Sequence, residues 1–155
     1  MKKYSTILFF KTSLLYMLVL TFLGALGCVG VGSNIPPERR EPLVEGGNNQ
    51  GNFSYGPLTV DYSYTVTGSN MVVGGSNMTL AGKAYYQASA GSLDVRILFL
   101  DATGIVLEQK IVYSSGYRTG TAKRSDRVFQ KTLSVPPGSA GITFTYSATE
   151  RSGRR

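Results

Sequence analysis

Between Pro57 and Ser147, in stretches separated by turns and loops, apolar residues return at every second position, and a period of two is the spacing of a strand, not of a helix. Leu58, Val60, Tyr62, Tyr64 and Val66 alternate with Thr59, Asp61, Ser63 and Thr65, so one face of this stretch is buried. Met78, Leu80, Gly82, Ala84 and Tyr86 repeat the pattern. Leu93, Val95, Ile97 and Phe99 alternate with Asp94, Arg96, Leu98 and Leu100, which makes the second half apolar on both faces and predicts a central strand. Stretches 105–113, 128–135 and 142–146 supply three more strands, and Met71-Val72-Val73 a short one at an edge.

The punctuation is that of an all-β chain. Asp101-Ala102-Thr103-Gly104 predicts a tight turn, with Asp accepting backbone N–H groups and Gly free to take a positive φ. It joins 93–100 to 105–113 as a hairpin. Pro136-Pro137-Gly138-Ser139-Ala140-Gly141 predicts a second turn, and Ser114 to Asp126 a long polar, basic loop. About seven strands with close turns and no helical pattern predict an antiparallel β-sandwich over residues 57–148. The words Leu98-Phe99-Leu100-Asp101-Ala102-Thr103-Gly104 and Leu133-Ser134-Val135-Pro136-Pro137-Gly138 resemble small immunoglobulin-like domains of bacterial envelope lipoproteins. One such group has a Phe-x-Leu-Tyr-Asp motif, which Phe99-Leu100-Asp101 matches in part. The resemblance covers residues 78–147 and implies an extracytoplasmic, non-enzymatic immunoglobulin-like sandwich.

The N-terminal region is a different kind of sequence. Lys2, Lys3 and Lys11 precede an apolar run through Leu14, Leu18, Leu20 and Leu23, and no acidic residue occurs before Glu38. A basic head followed by an apolar middle and small residues reads as a secretory signal over 1–27. Ala25, Leu26 and Gly27 before Cys28 resemble the lipobox of bacterial lipoproteins, although the usual order of Leu and small residue is reversed. That resemblance implies cleavage between Gly27 and Cys28, a diacylglyceryl group on the Cys28 thiol, and a membrane as partner. Because Val29 is not Asp, it also implies the outer membrane of a two-membrane cell. The rival reading is an uncleaved span, since Thr12 to Val31 is long enough at about 20 residues.

Residues 28–56 read as lipidated cysteine and flexible tether. Gly30, Gly32, Pro36, Pro37, the mixed-charge Glu38-Arg39-Arg40-Glu41, and Gly46-Gly47-Asn48-Asn49-Gln50-Gly51-Asn52 offer little apolar surface to bury. Such a tether would span about 30 Å root-mean-square. Residues 149–155 read as a frayed basic tail.

Composition excludes several functions. The chain has 155 residues, one Cys, no His and no Trp. One Cys excludes an internal disulfide, and the absence of His removes the commonest general base and metal ligand. No metal-ligand spacing, phosphate loop or nucleophile elbow is present, and Ser114 and Ser115 have no His to activate them. We therefore expect no enzyme, no metal and no cofactor. Formal charge is +7, three of it from the leader lysines, and the remainder is too sparse for a nucleic-acid partner. Arg118, Lys123, Arg124, Arg127 and Lys131 form a candidate patch for an anionic glycan or lipid. Tyr62, Tyr64, Tyr86 and Tyr146 read as sheet residues with stacking on sugar as the functional alternative. Leu98, Leu100, Val106 and Val112 place apolar groups on the second face of the hairpin, which asks for a cover from the tether or from an envelope protein. Together these readings give three expectations: a lipid-anchored binding or scaffolding protein, a glycan- or anionic-lipid-binding module, or an accessory lipoprotein of an envelope assembly or secretion machine.

Overall fold

The computed structural model describes residues 29–68, 76–88, 90–116 and 127–149. These form eight strands: β1 (Glu41–Pro42), β2 (Asn49–Tyr55), β3 (Leu58–Thr67), β4 (Ser76–Tyr86), β5 (Ser92–Leu100), β6 (Val106–Ser114), β7 (Arg127–Val135) and β8 (Gly141–Thr149). One antiparallel sheet has the order β1-β8-β5-β6 and the other β2-β3-β4-β7. The chain is an all-β sandwich, as its period of two predicts. Strands β4 and β7 pair across a sequence gap, as do β5 and β8, so the chain changes sheet three times between β4 and β8.

The one strand pairing that the sequence predicts is present. Asp94 to Leu100 pairs with Ser114 to Val106, which is the expected hairpin. Asp101 closes it: its Oδ1 accepts from Thr103 N at 2.8 Å, Ile105 N at 2.9 Å and the Thr103 hydroxyl at 2.7 Å. The hydrogen bond from Thr103, followed by that from Ile105, holds the Asp101 carboxyl below its usual pKa. β5 lies between β8 and β6, and its Leu98, Phe99 and Leu100 are all fully buried. The main core fills the space between the sheets, with Leu58, Val60, Met78, Leu80, Val95, Ile97, Phe99, Ile142 and Phe144 at its centre.

The tether reading of residues 28–56 is overturned for the described part, 29–56. A 3-10 turn (Pro37–Arg39), β1 and β2 all lie in it, and Ile35, Leu43 and Phe53 are buried. Residues 29–43 form a strap across the β5–β6 hairpin. Ile35 N donates to Gly104 O and Gly32 N to Val106 O, both at 2.9 Å, while Val106 N returns a bond to Ser33 O. Arg40 Nε donates to Ile35 O at 2.6 Å and Arg40 Nη2 to Asn34 Oδ1 at 3.0 Å. The guanidinium lies flat against Gly104, whose φ of 90° and missing Cβ leave it room. Tyr64 then fastens the end of the strap: its hydroxyl accepts from Val44 N and donates to Pro42 O.

The strap also answers what covers the second face of the hairpin. Ile35, Leu98, Leu100 and Val106 make a small second core, with Val29 packed on it. Leu98, Leu100 and Val106 are thus a covered surface, not an open partner face. Val112 departs from that face altogether. Two bulges interrupt the β5–β6 register, between Val95 and Arg96 and between Phe99 and Leu100. Each leaves one β6 residue unpaired and resets the alternation, so Val106 faces the strap while Val112 enters the main core. Residues 1–28, with Gly27 and Cys28, and the expected short strand Met71–Val73 lie outside the described residues.

Ile35 is the single fully buried side chain of the strap proper, so truncating it opens a cavity against Leu98, Leu100 and Val106. Ile35→Ala is expected to lose about 2–5 kcal/mol of unfolding free energy in urea titration. A loss within ~0.5 kcal/mol, the range of an ordinary surface substitution, would show that the strap does not belong to the fold.

Candidate ligand-binding surface

Strands β2, β4, β6 and β8 finish, and β3, β5 and β7 begin, at one end of the sandwich. There the core runs out in tyrosines. Tyr55 from β2, Tyr146 from β8 and Tyr86 from β4 form a row: ring centroids are 6.4 Å apart for Tyr55 and Tyr146, and 5.4 Å, edge to face, for Tyr146 and Tyr86. An arginine stands at each end. The Arg39 guanidinium carbon is 3.6 Å from the Tyr55 ring centre, and that of Arg127 is 5.8 Å from Tyr86. Tyr55 is 42% exposed, and Tyr86 and Tyr146 are half-buried.

The local reasons for this row are simple. Tyr55 and Phe53 share the inward face of β2, with Phe53 deep against Phe144 and Tyr55 left at the rim. A ring at a rim keeps its hydroxyl wet while its body covers apolar atoms. Arg39 is the last residue of the 3-10 turn, and its side chain goes to Tyr55 while that of Arg40 goes to Ile35 and Asn34. Its Nε and Nη2 are shut off from solvent and find no hydrogen-bond partner among the described residues. Stacking on Tyr55 is the interaction that compensates for this burial.

Of the sequence-predicted basic patch, Arg127 belongs to this end and Lys131 does not. Both lie on the inward face of β7, four residues apart, so they are separated by about 13 Å along the strand. Arg118, Lys123 and Arg124 lie outside the described residues. The chain leaves the described fold at Gly116 and re-enters at Arg127, both at the tyrosine end. Of the predicted tyrosines, Tyr86 and Tyr146 are in the row, while Tyr62 and Tyr64 are buried, stacked on each other at 6.3 Å. Tyr55 and Arg39 were hidden within the stretch that reads as a tether.

Ser114, Ser115 and Lys110 are engaged in structure. Ser114 Oγ donates to Asp94 Oδ1 at 2.6 Å, and Ser115 Oγ accepts from Leu93 N at 2.8 Å. Lys110 Nζ crosses from β6 to Ser134 O of β7 at 2.8 Å, closing that side of the sandwich. Among the described residues no three of His, Cys, Asp and Glu are placed to hold a metal ion, and no helix is long and apolar enough to cross a membrane. No protein-family model matches the chain, and no curated protein or solved structure matches it.

Burial pushes the Tyr62 phenol up to about 12, with the Glu41 carboxylate and then Tyr64 adding to it. The folded pKa lies above the unfolded one, so this stabilisation is complete below pH 10 and is lost as pH rises from about 10 through 12. Unfolding followed by circular dichroism is expected to begin in that window. Tyr62→Phe, which removes the ionisation but keeps the ring, is expected to flatten the decline. An unchanged alkaline profile in the variant would assign the transition to other groups.

Proposed function

We propose that the protein is a non-enzymatic binding module of the cell envelope, carried on a lipidated Cys28, which takes an acidic glycan at the tyrosine end of the sandwich. The single observation that carries the ligand class is the row Arg39–Tyr55–Tyr146–Tyr86–Arg127. Aromatic faces suit the C–H faces of sugar rings, and flanking guanidiniums suit carboxylate or phosphate, which they grip in bidentate fashion. The anchorage rests on the sequence: the basic start, the apolar run and the small residues before Cys28. The same features, with Val29 after the cysteine, favour an outer-membrane address.

The test is retention of the full-length protein on an immobilised polyuronate and on a neutral glucan of matching length. Retention on the polyuronate is expected, with loss as salt rises. Arg127→Gln is expected to weaken it roughly tenfold, as for one charge-assisted hydrogen bond of about 1.5 kcal/mol, and Tyr55→Ala to weaken it as well, with the strand signal in circular dichroism retained. Equal retention on both matrices, or indifference to both substitutions, would sink the acidic-glycan reading.

A further inference from the structure

A 28-residue tether would let the sandwich hang free of whatever holds the N-terminus, but the fold leaves no such slack. Val29 is already half-buried against Ile35, Leu98, Leu100 and Val106. Gly30 N donates to Ser33 Oγ and Ser33 N to Gly30 O, both at 3.1 Å, and Gly32 N is bound to Val106 O. The apolar stretch that ends at Gly27-Cys28 therefore meets the folded surface within a residue or two, or about 3.5 Å of chain per residue.

The surface it meets is the outer face of the β1-β8-β5-β6 sheet. On that face Arg96 alternates with Leu98 and Leu100, and Ile111 of β6 stands opposite Arg96. Exposed apolar side chains sit here beside the strap: Val31 is 65% exposed, Ile111 50%, and Ile105, bridged to Asn34 of the strap, 38%. The outer face of the other sheet is dominated by polar groups: Asn52, Thr59, Asp61, Ser63, Thr79 and Gln130. It too carries exposed apolar residues, Tyr85 and Val128. Exposure alone does not separate the two faces. The position of Val29 does, because only one of them begins where the membrane-seeking segment ends.

We infer that the surface carrying Val31, Ile105 and Ile111 rests against the headgroup layer of a lipid bilayer. This rests on the membrane anchorage proposed above. It holds whether the anchor is acyl chains on Cys28 or an apolar run that ends there, since either one reaches the fold at Val29. The three side chains add apolar contact to an anchor that a single acyl chain would supply only marginally. The opposite sheet faces away from the lipid, and the tyrosine row stays open at the end of the sandwich.

The experiment uses the full chain in vesicles of neutral phospholipid, with a polarity-sensitive fluorophore on one introduced cysteine at a time, in a Cys28→Ser or wild-type background as the thiol requires. Wild type alone is labelled first and weighed intact. Acyl mass with no free thiol supports lipidation; a free Cys28 thiol without acyl mass sinks the lipid anchor but leaves the surface to be judged by the next reading. Labels at Val31→Cys, Ile105→Cys and Ile111→Cys are expected to be quenched several-fold more by nitroxide-bearing headgroups than labels at Tyr85→Cys and Val128→Cys. Equal quenching on the two faces, with the protein membrane-bound, would overturn the inference whatever the state of Cys28. All five positions are exposed, so the substitutions leave the core intact.

Discussion

A central strand with apolar residues on both faces must be covered twice, and the rest of this structure follows from that demand on β5. One cover is the opposite sheet, which meets Val95, Ile97 and Phe99. The other must come from outside the sandwich, and it is the strap, through Ile35 on Leu98 and Leu100. Burying a side chain of that size stabilises by about 1.5–3 kcal/mol. Alone it would not hold the backbone of the strap in one conformation. The hydrogen bonds to Gly104 and Val106, the Arg40 bridge and the Tyr64 latch make the ordering worthwhile. The last links join the strap to the far sheet, so it fastens both layers of the sandwich.

Strands β3 to β8 were legible because a half-buried strand writes its burial into alternate residues, and their turns carry Asp, Pro and Gly where the backbone needs them. The strap and β2 were not legible because their apolar residues are isolated. Ile35 stands among Gly, Ser, Asn and Pro, and Phe53 and Tyr55 follow Gly46-Gly47-Asn48-Asn49-Gln50-Gly51-Asn52. Composition reads Gly51 as slack, yet a Cβ there would stand 2.5 Å from the Tyr62 hydroxyl. The glycine is a fitted surface for a ring on the neighbouring strand. The face of Val112 was illegible for another reason: a bulge resets the period, and no residue type marks where it falls.

The same hidden segment supplies two of the five residues of the candidate site. Arg39 and Tyr55 come from the region that reads as coil, and Tyr146, Tyr86 and Arg127 from three strands of both sheets. Sequence reasoning found Tyr86, Tyr146 and Arg127 separately, as sheet residues and as part of a loop patch. Only the crossing of β4 to β5 and of β6 to β7 at one end brings them together. That crossing also separates the two proposed surfaces, since the strap covers an outer face and the tyrosines close the space between the sheets.

A seal for the end of a core needs apolar area and nothing more, which is the strongest reason to read the tyrosine row as something else. A leucine at position 39 would cover Tyr55 without cost. The guanidinium instead buries Nε and Nη2 with no hydrogen bond, and an unpaired buried donor costs about 1–3 kcal/mol. Its stacking on Tyr55 returns roughly 0.5–2 kcal/mol. Stability alone therefore gives no advantage to arginine here. The arginine is therefore held at this rim by its ring contact and not by hydrogen bonds of Nε and Nη2 within the described fold.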